Sequence, residues 1–139
     1  MSFREKSAWI ILVTLVLLTG VYLVHIFPWT LRPEPSGARF HMLGTSILAF
    51  VIIVVIAHIA VAIGSPRDAR TPKDERERLI ELRSTALSAY VYAFLSLASI
   101  ATIHAGANQF GIGYLVTLSF GLAEIVNYAA RVIRYRRDS

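Results

Sequence analysis

Glu124, in the stretch "GLAEIVNYAA", is the one formally charged side chain well inside any of the long apolar runs of this chain. A carboxyl group in hydrocarbon is costly and needs a partner or a cavity, which makes it the first place to look for chemistry. His58, in "IVVIAHIAVAI", is an ionisable group at comparable depth. Counted from the nearer charged flank, each lies roughly 10 Å into its run if that run is helical. A His58–Glu124 pair would lower the burial cost of both groups and form a proton-sensitive switch. Further polar groups stand close by in the pattern. Thr117, Gly121, Glu124 and Tyr128 share one helical face, with Asn127 adjoining, and Ser88, Tyr92, Ser96 and Ser99 share a face of the preceding run. Stripes of small and hydroxylated residues also serve ordinary packing between membrane helices.

Histidine offers a second chemistry. His25, His41 and His104 fall at the ends of three apolar runs, all within about one helical turn of the same expected membrane surface. Three imidazoles at one level would suit zinc or copper, and two of them would suit a haem. No two histidines stand at i,i+3 or i,i+4, the spacing from which one helix builds a metal site. The plain alternative is therefore a set of wet interfacial side chains. A haem or a metal ion is the one cofactor class these residues suggest. The chain has no cysteine, which removes disulfides, thiolate metal sites and thiol redox switches. It also lacks HExxH, GxSxG, Walker and GxGxxG patterns. The reading leans away from an enzyme.

The third cluster is "TPKDERERLIELRS", residues 71–84, which holds four of the nine acidic groups. Thr71 suits an N-cap, Pro72 the first helical position, and Asp74 completes a capping-box variant. Acidic Asp74, Glu75 and Glu77 complement the helix dipole, and Arg78 is spaced to pair with Asp74 and Glu75. These carboxylates are interleaved with arginines and are poor candidates for general acids. They suit either a solvated helix end or a docking surface for a partner. Asp74, Glu75, Glu77, Arg78, Glu81 and Arg83 are the residues such a surface would use.

The elements that must position these groups are set by hydropathy. Of 139 residues, 55% are hydrophobic, and the excess falls in four runs at about 8–27, 40–64, 85–103 and 110–130. Each is about long enough to cross 30 Å of hydrocarbon at 1.5 Å per residue. None shows the polar stripe of a soluble amphipathic helix. The first run competes with a signal peptide, but it is long for one and ends in the interfacial "FPW" without a small-x-small cleavage site. The expectation is an all-α integral membrane protein, a single domain over residues 1–139, folded as a four-helix antiparallel bundle. Its charged helix start at 71–84 would continue into the third span and stand out into the cytoplasm.

Orientation follows from the basic residues. Arg4 and Lys6, six residues between 67 and 83, and Arg131, Arg134, Arg136 and Arg137 lie on one side, while only Arg32 and Arg39 lie on the other. This positive-inside bias puts both termini in the cytoplasm. The net charge of +5 is thus spent on topology and on anionic lipid, and no nucleic-acid contact is expected. Pro28, Pro33, Pro35 and Gly37 make the first outer loop turn-rich, and "HAGANQFG" is a tight link between neighbouring helices. The small residues in "AVAIG" and "GANQFGIG" are compatible with a homodimer.

The sequence "DERE", then an aliphatic residue and "RS" leading into a span, resembles small four-span bacterial membrane proteins of unknown function. It is carried by Asp74, Glu75, Arg76, Glu77, Ile80, Arg83 and Ser84. Some members of such families are encoded beside small transcription regulators and are thought to be their membrane-bound partners. The resemblance implies a bacterial cytoplasmic (inner) membrane location and a regulatory or anchoring role, and it brings no catalytic residues. Two other functions follow from the residues alone: a haem- or metal-binding protein using His25, His41 and His104, and a proton-coupled transporter subunit centred on His58 and Glu124.

Overall fold

Long apolar runs without internal proline leave the backbone one way to satisfy its polar groups in lipid, the helix. The computed structural model describes residues 3–26, 36–64 and 74–137, and among these it is all-helical, with no strand. Helix α1 spans Phe3–Val21 and continues as a wider π-helical turn over Tyr22–Ile26. Helix α2 spans Ser36–Gly64, α3 spans Glu75–Ala101 with a 3-10 turn at Thr102–Ala105, and α4 spans Gln109–Arg137. All four are long and apolar enough to cross a membrane. The spanning stretch of α2 is the same 40–64 expected from hydropathy, whereas the helices of the other three overrun the apolar runs at one or both ends.

Helix α3 forms without a break across the charged stretch and the apolar one. At 27 residues it is about 40 Å long, more than the hydrocarbon thickness. Its start differs from the sequence reading. Asp74 is the N-cap, in an extended conformation, and its side chain accepts from Glu75 N at 2.7 Å. The Glu77 carboxylate reaches back to Asp74 N at 3.2 Å and closes a capping box. The box is therefore Asp74–Glu77, one turn later than the Thr71–Asp74 spacing suggested, because Glu at N3 can reciprocate the cap. Thr71 and Pro72 lie outside the described residues.

The link from α3 to α4 is short. Gly106 adopts φ 83°, a left-handed conformation that ends the helix at little cost only for glycine, and Ala107 N returns to Thr102 O at 3.1 Å. Asn108 then caps α4, its side-chain oxygen accepting from Gly111 N at 2.8 Å. So brief a connection lays α4 back along α3. The seam is small and polar on both sides. Ile80, Ser84, Ser88 and Ser99 are buried on α3, and Ser119, Ala123 and Asn127 on α4. Ser99 and Ser119 hydroxyls meet at 3.2 Å.

Helix α4 packs on its other side against α1, whose buried residues Glu5, Ala8, Ile11, Leu15, Thr19 and Tyr22 recur every three or four positions. Tyr22 donates from its hydroxyl to the Tyr114 carbonyl at 3.0 Å. Gly121 lets α1 approach: a Cβ there would lie 2.9 Å from Thr19 Oγ1. Helix α2 touches α1 and, more thinly, α4. None of the described residues in its most apolar stretch is buried in the protein, which leaves that surface to lipid. Its outward Leu48, Ile52, Ile56 and Ile63 are unremarkable in that solvent.

Candidate functional site

The start of α1, the start of α3 and the end of α4 come together at one end of the molecule, and most of the described charged side chains gather there. Arg4 Nη1 lies 2.9 Å from Glu77 Oε2, joining α1 to α3. Arg136 Nε lies 3.6 Å from Glu5 Oε1, joining α4 to α1, with its guanidinium 5.3 Å over the Trp9 ring. Arg131 lies 3.4 Å from Glu81, joining α4 to α3. Each helix is thereby tied to both of the others by charge. Glu5 is buried, and the Arg4, Glu77 and Arg131 side chains are largely so. In that setting an ion pair loses less to solvent screening than an exposed one.

Arg131 is the hub. Besides Glu81, it donates from Nε to Asn127 Oδ1 at 3.1 Å and from Nη2 to Thr85 Oγ1 at 3.4 Å, and it stacks 4.9 Å over Tyr128. Asn127 in turn donates from Nδ2 to Glu124 Oε2 at 3.4 Å. The i,i+3 and i,i+4 spacings of Glu124, Asn127 and Arg131 make a polar ladder down α4 that ends at the charged end. Arg134 donates to the fully buried Ser84 hydroxyl at 3.3 Å.

Glu124 is half-buried and is met by Asn127 of its own helix. The side chain of His58, its expected partner, lies outside the described residues. Asn127 is buried where the sequence pattern put it beside the polar face, and Tyr128 is only half-buried. Tyr92 is exposed and packs edge-on to Phe120, with ring centroids 6.1 Å apart. Of the three histidines, His41 and His104 are exposed near the helix ends, and the side chain of His25 lies outside the described residues. Among the described residues no three metal-ligating side chains converge.

The charged-helix residues divide into two sets. Asp74 and Glu77 close the cap, and Glu77 and Glu81 pair across helices, so the two glutamates face inward contacts while Asp74 is exposed. Arg78 forms no ion pair with Asp74 or Glu75: the Asp74 side chain is taken by the cap, and the interhelical pairs of this stretch use Glu77 and Glu81 instead. Glu75, Arg78 and Arg83 are exposed, as are Leu79 and Leu82 at 51% and 66%. Glu75, Arg78, Leu79 and Leu82 stand at i, i+3, i+4 and i+7, a single outward stripe.

The sequence reading passed over Arg4, Glu5, Arg131 and Arg134 as site residues because it counted basic groups for topology. Their signal was present in part: Arg131 lies four residues beyond Asn127 and seven beyond Glu124, continuing the same face. Between α3 and the end of α4 lies an open cleft of about 490 Å³, lined by arginines and by Leu79 and Ile80. Compared with protein-family models, curated proteins and solved structures, the chain matches none.

Proposed function

We propose that this is a multi-pass protein of the bacterial cytoplasmic membrane, with both termini and the start of α3 in the cytoplasm, that holds a cytoplasmic protein at the membrane. The antiparallel bundle expected from the sequence belongs to the same proposal. One observation carries the reading: the outward stripe Glu75, Arg78, Leu79 and Leu82 exposes two leucines at the charged end of a helix longer than the hydrocarbon is thick. Counting about 20 residues back from the far end of the third span puts the hydrocarbon boundary near residue 84, leaving both leucines beyond it. Apolar anchors at this spacing are how an amphipathic helix engages a groove on a partner. The cross-helix ion pairs support the same reading, since a helix held at its base loses little entropy on binding.

Glu77 and Glu81 serve that role indirectly, by fixing α3 against α1 and α4. The test therefore changes the outward stripe and leaves them alone. Tagged wild-type protein is expected to capture a cytoplasmic protein from native membranes, and Leu79→Ser with Leu82→Ser and Arg78→Glu is expected to lose it while inserting normally. An unchanged capture profile would leave the stripe as a helix end lying among lipid headgroups.

A further inference from the structure

The open cleft beside α3 has a different character from the outward stripe. Arg76, Arg83, Arg134 and Arg137 line it, with Glu75 as the single acidic member. Its neighbours show what the fold does with an arginine that has a carboxylate within reach: Arg4, Arg131 and Arg136 are each matched to a glutamate on another helix. Arg83, Arg134 and Arg137 form no ion pair with any described residue. Three cations without an ion pair thus border one concavity whose lining holds a single carboxylate, that of Glu75. Arg134 is also oriented, since its guanidinium donates to Ser84, whose side chain is fully buried.

We propose that this cleft binds the phosphate of an anionic membrane lipid. Guanidinium groups suit the charge and the geometry, because a planar fork of donors can meet two phosphate oxygens at once. The volume of about 490 Å³ lies within the range of small-ligand clefts. Position selects the lipid over a soluble phosphate. By the same residue count Ser84 stands near the hydrocarbon boundary, which puts the Ser84–Arg134 contact next to the layer of lipid phosphates. Leu79 and Ile80 complete the lining one turn farther from the hydrocarbon. Basic pockets between spanning helices are a known place for acidic headgroups. The site shares Glu75 and Leu79 with the outward stripe but is built on Arg83, Arg134 and Arg137, which the partner-docking reading does not use, so either can fail alone.

The experiment uses the full chain, delipidated in a nonionic detergent and offered equimolar phosphatidylglycerol and phosphatidylcholine, with retained lipid read by native mass spectrometry. Preferential retention of phosphatidylglycerol is expected. Arg83→Gln with Arg137→Gln removes two exposed cations that hold no protein partner, so folding is preserved, which circular dichroism checks. The preference is expected to fall about fivefold for each guanidinium removed. Arg78→Gln takes a charge from the same end outside the cleft and is expected to leave the preference intact. Equal retention of the two lipids, an undiminished preference in the double variant, or an equal loss in Arg78→Gln would overturn the proposal. Inorganic phosphate at millimolar concentration is expected not to displace the lipid. Displacement, or phosphate binding with no lipid preference, would identify a soluble anion as the occupant and overturn the assignment to lipid.

Discussion

Arg131 organises the polar chemistry of this protein at the residue scale. It gathers Glu81, Thr85 and Asn127 around one guanidinium, and Asn127 passes the contact on to Glu124. A carboxyl group that is costly in hydrocarbon is thus connected stepwise to the charged end of its own helix. The two steps are separable. Glu124→Gln keeps an oxygen to accept from Asn127 and is expected to leave the unfolding midpoint in mixed micelles nearly unchanged. Asn127→Leu removes the donor to Glu124 and the acceptor for Arg131 together, at a buried position. It is expected to cost about 1–2 kcal/mol, the scale of intramembrane hydrogen bonds. Equal effects from the two substitutions, read by the same titration, would mean that Glu124 has a partner more important than Asn127.

Between elements, close approach matters more than hydrophobicity, because lipid solvates apolar side chains as well as a neighbouring helix does. Helices α1 and α4 come together where Thr19 meets Gly121, and a methyl group on Gly121 has no room beside the Thr19 hydroxyl, which itself lacks a hydrogen-bond partner. Threonine is branched at Cβ and stiff, so it yields poorly. Gly121→Ala is expected to destabilise the protein by about 1–3 kcal/mol, the usual cost of overpacking. Thr19→Ala alone should be nearly neutral, and the double variant should recover most of the loss. A double-mutant cycle by thermal unfolding in detergent measures that coupling, and simple additivity of the two changes would remove Gly121 from the contact.

For the whole molecule, the distribution of charge predicts topology. The chain has no cysteine, so single cysteines report their side of the membrane without background. Gly37→Cys and Ala105→Cys, both at exposed positions, are expected to react with an impermeant maleimide in intact cells. Lys6→Cys and Arg78→Cys, also exposed, are expected to react only after the membrane is opened. The reverse pattern would put the docking stripe and the arginine cleft on the outer face and end both cytoplasmic roles.

Helices long and apolar enough to span were legible in the sequence because hydrocarbon leaves the backbone no alternative, and four runs of the required length are a one-dimensional signal. The continuous α3 and the tight "HAGANQFG" link were legible for a different reason: helix-start and turn signals act within a few residues. The sequence also singled out Glu124, since a charge in an apolar run is conspicuous wherever the run packs. It did not tell that Glu77 would close the cap, that Glu77 and Glu81 would turn inward to Arg4 and Arg131, or that Arg83, Arg134 and Arg137 would border one cleft. Those outcomes depend on which helices lie side by side and how each is rotated. Partners some 50 residues apart, or more than 70, leave no local spacing to read, and only the tertiary structure decides which arginines find a carboxylate and which are left facing an open cleft.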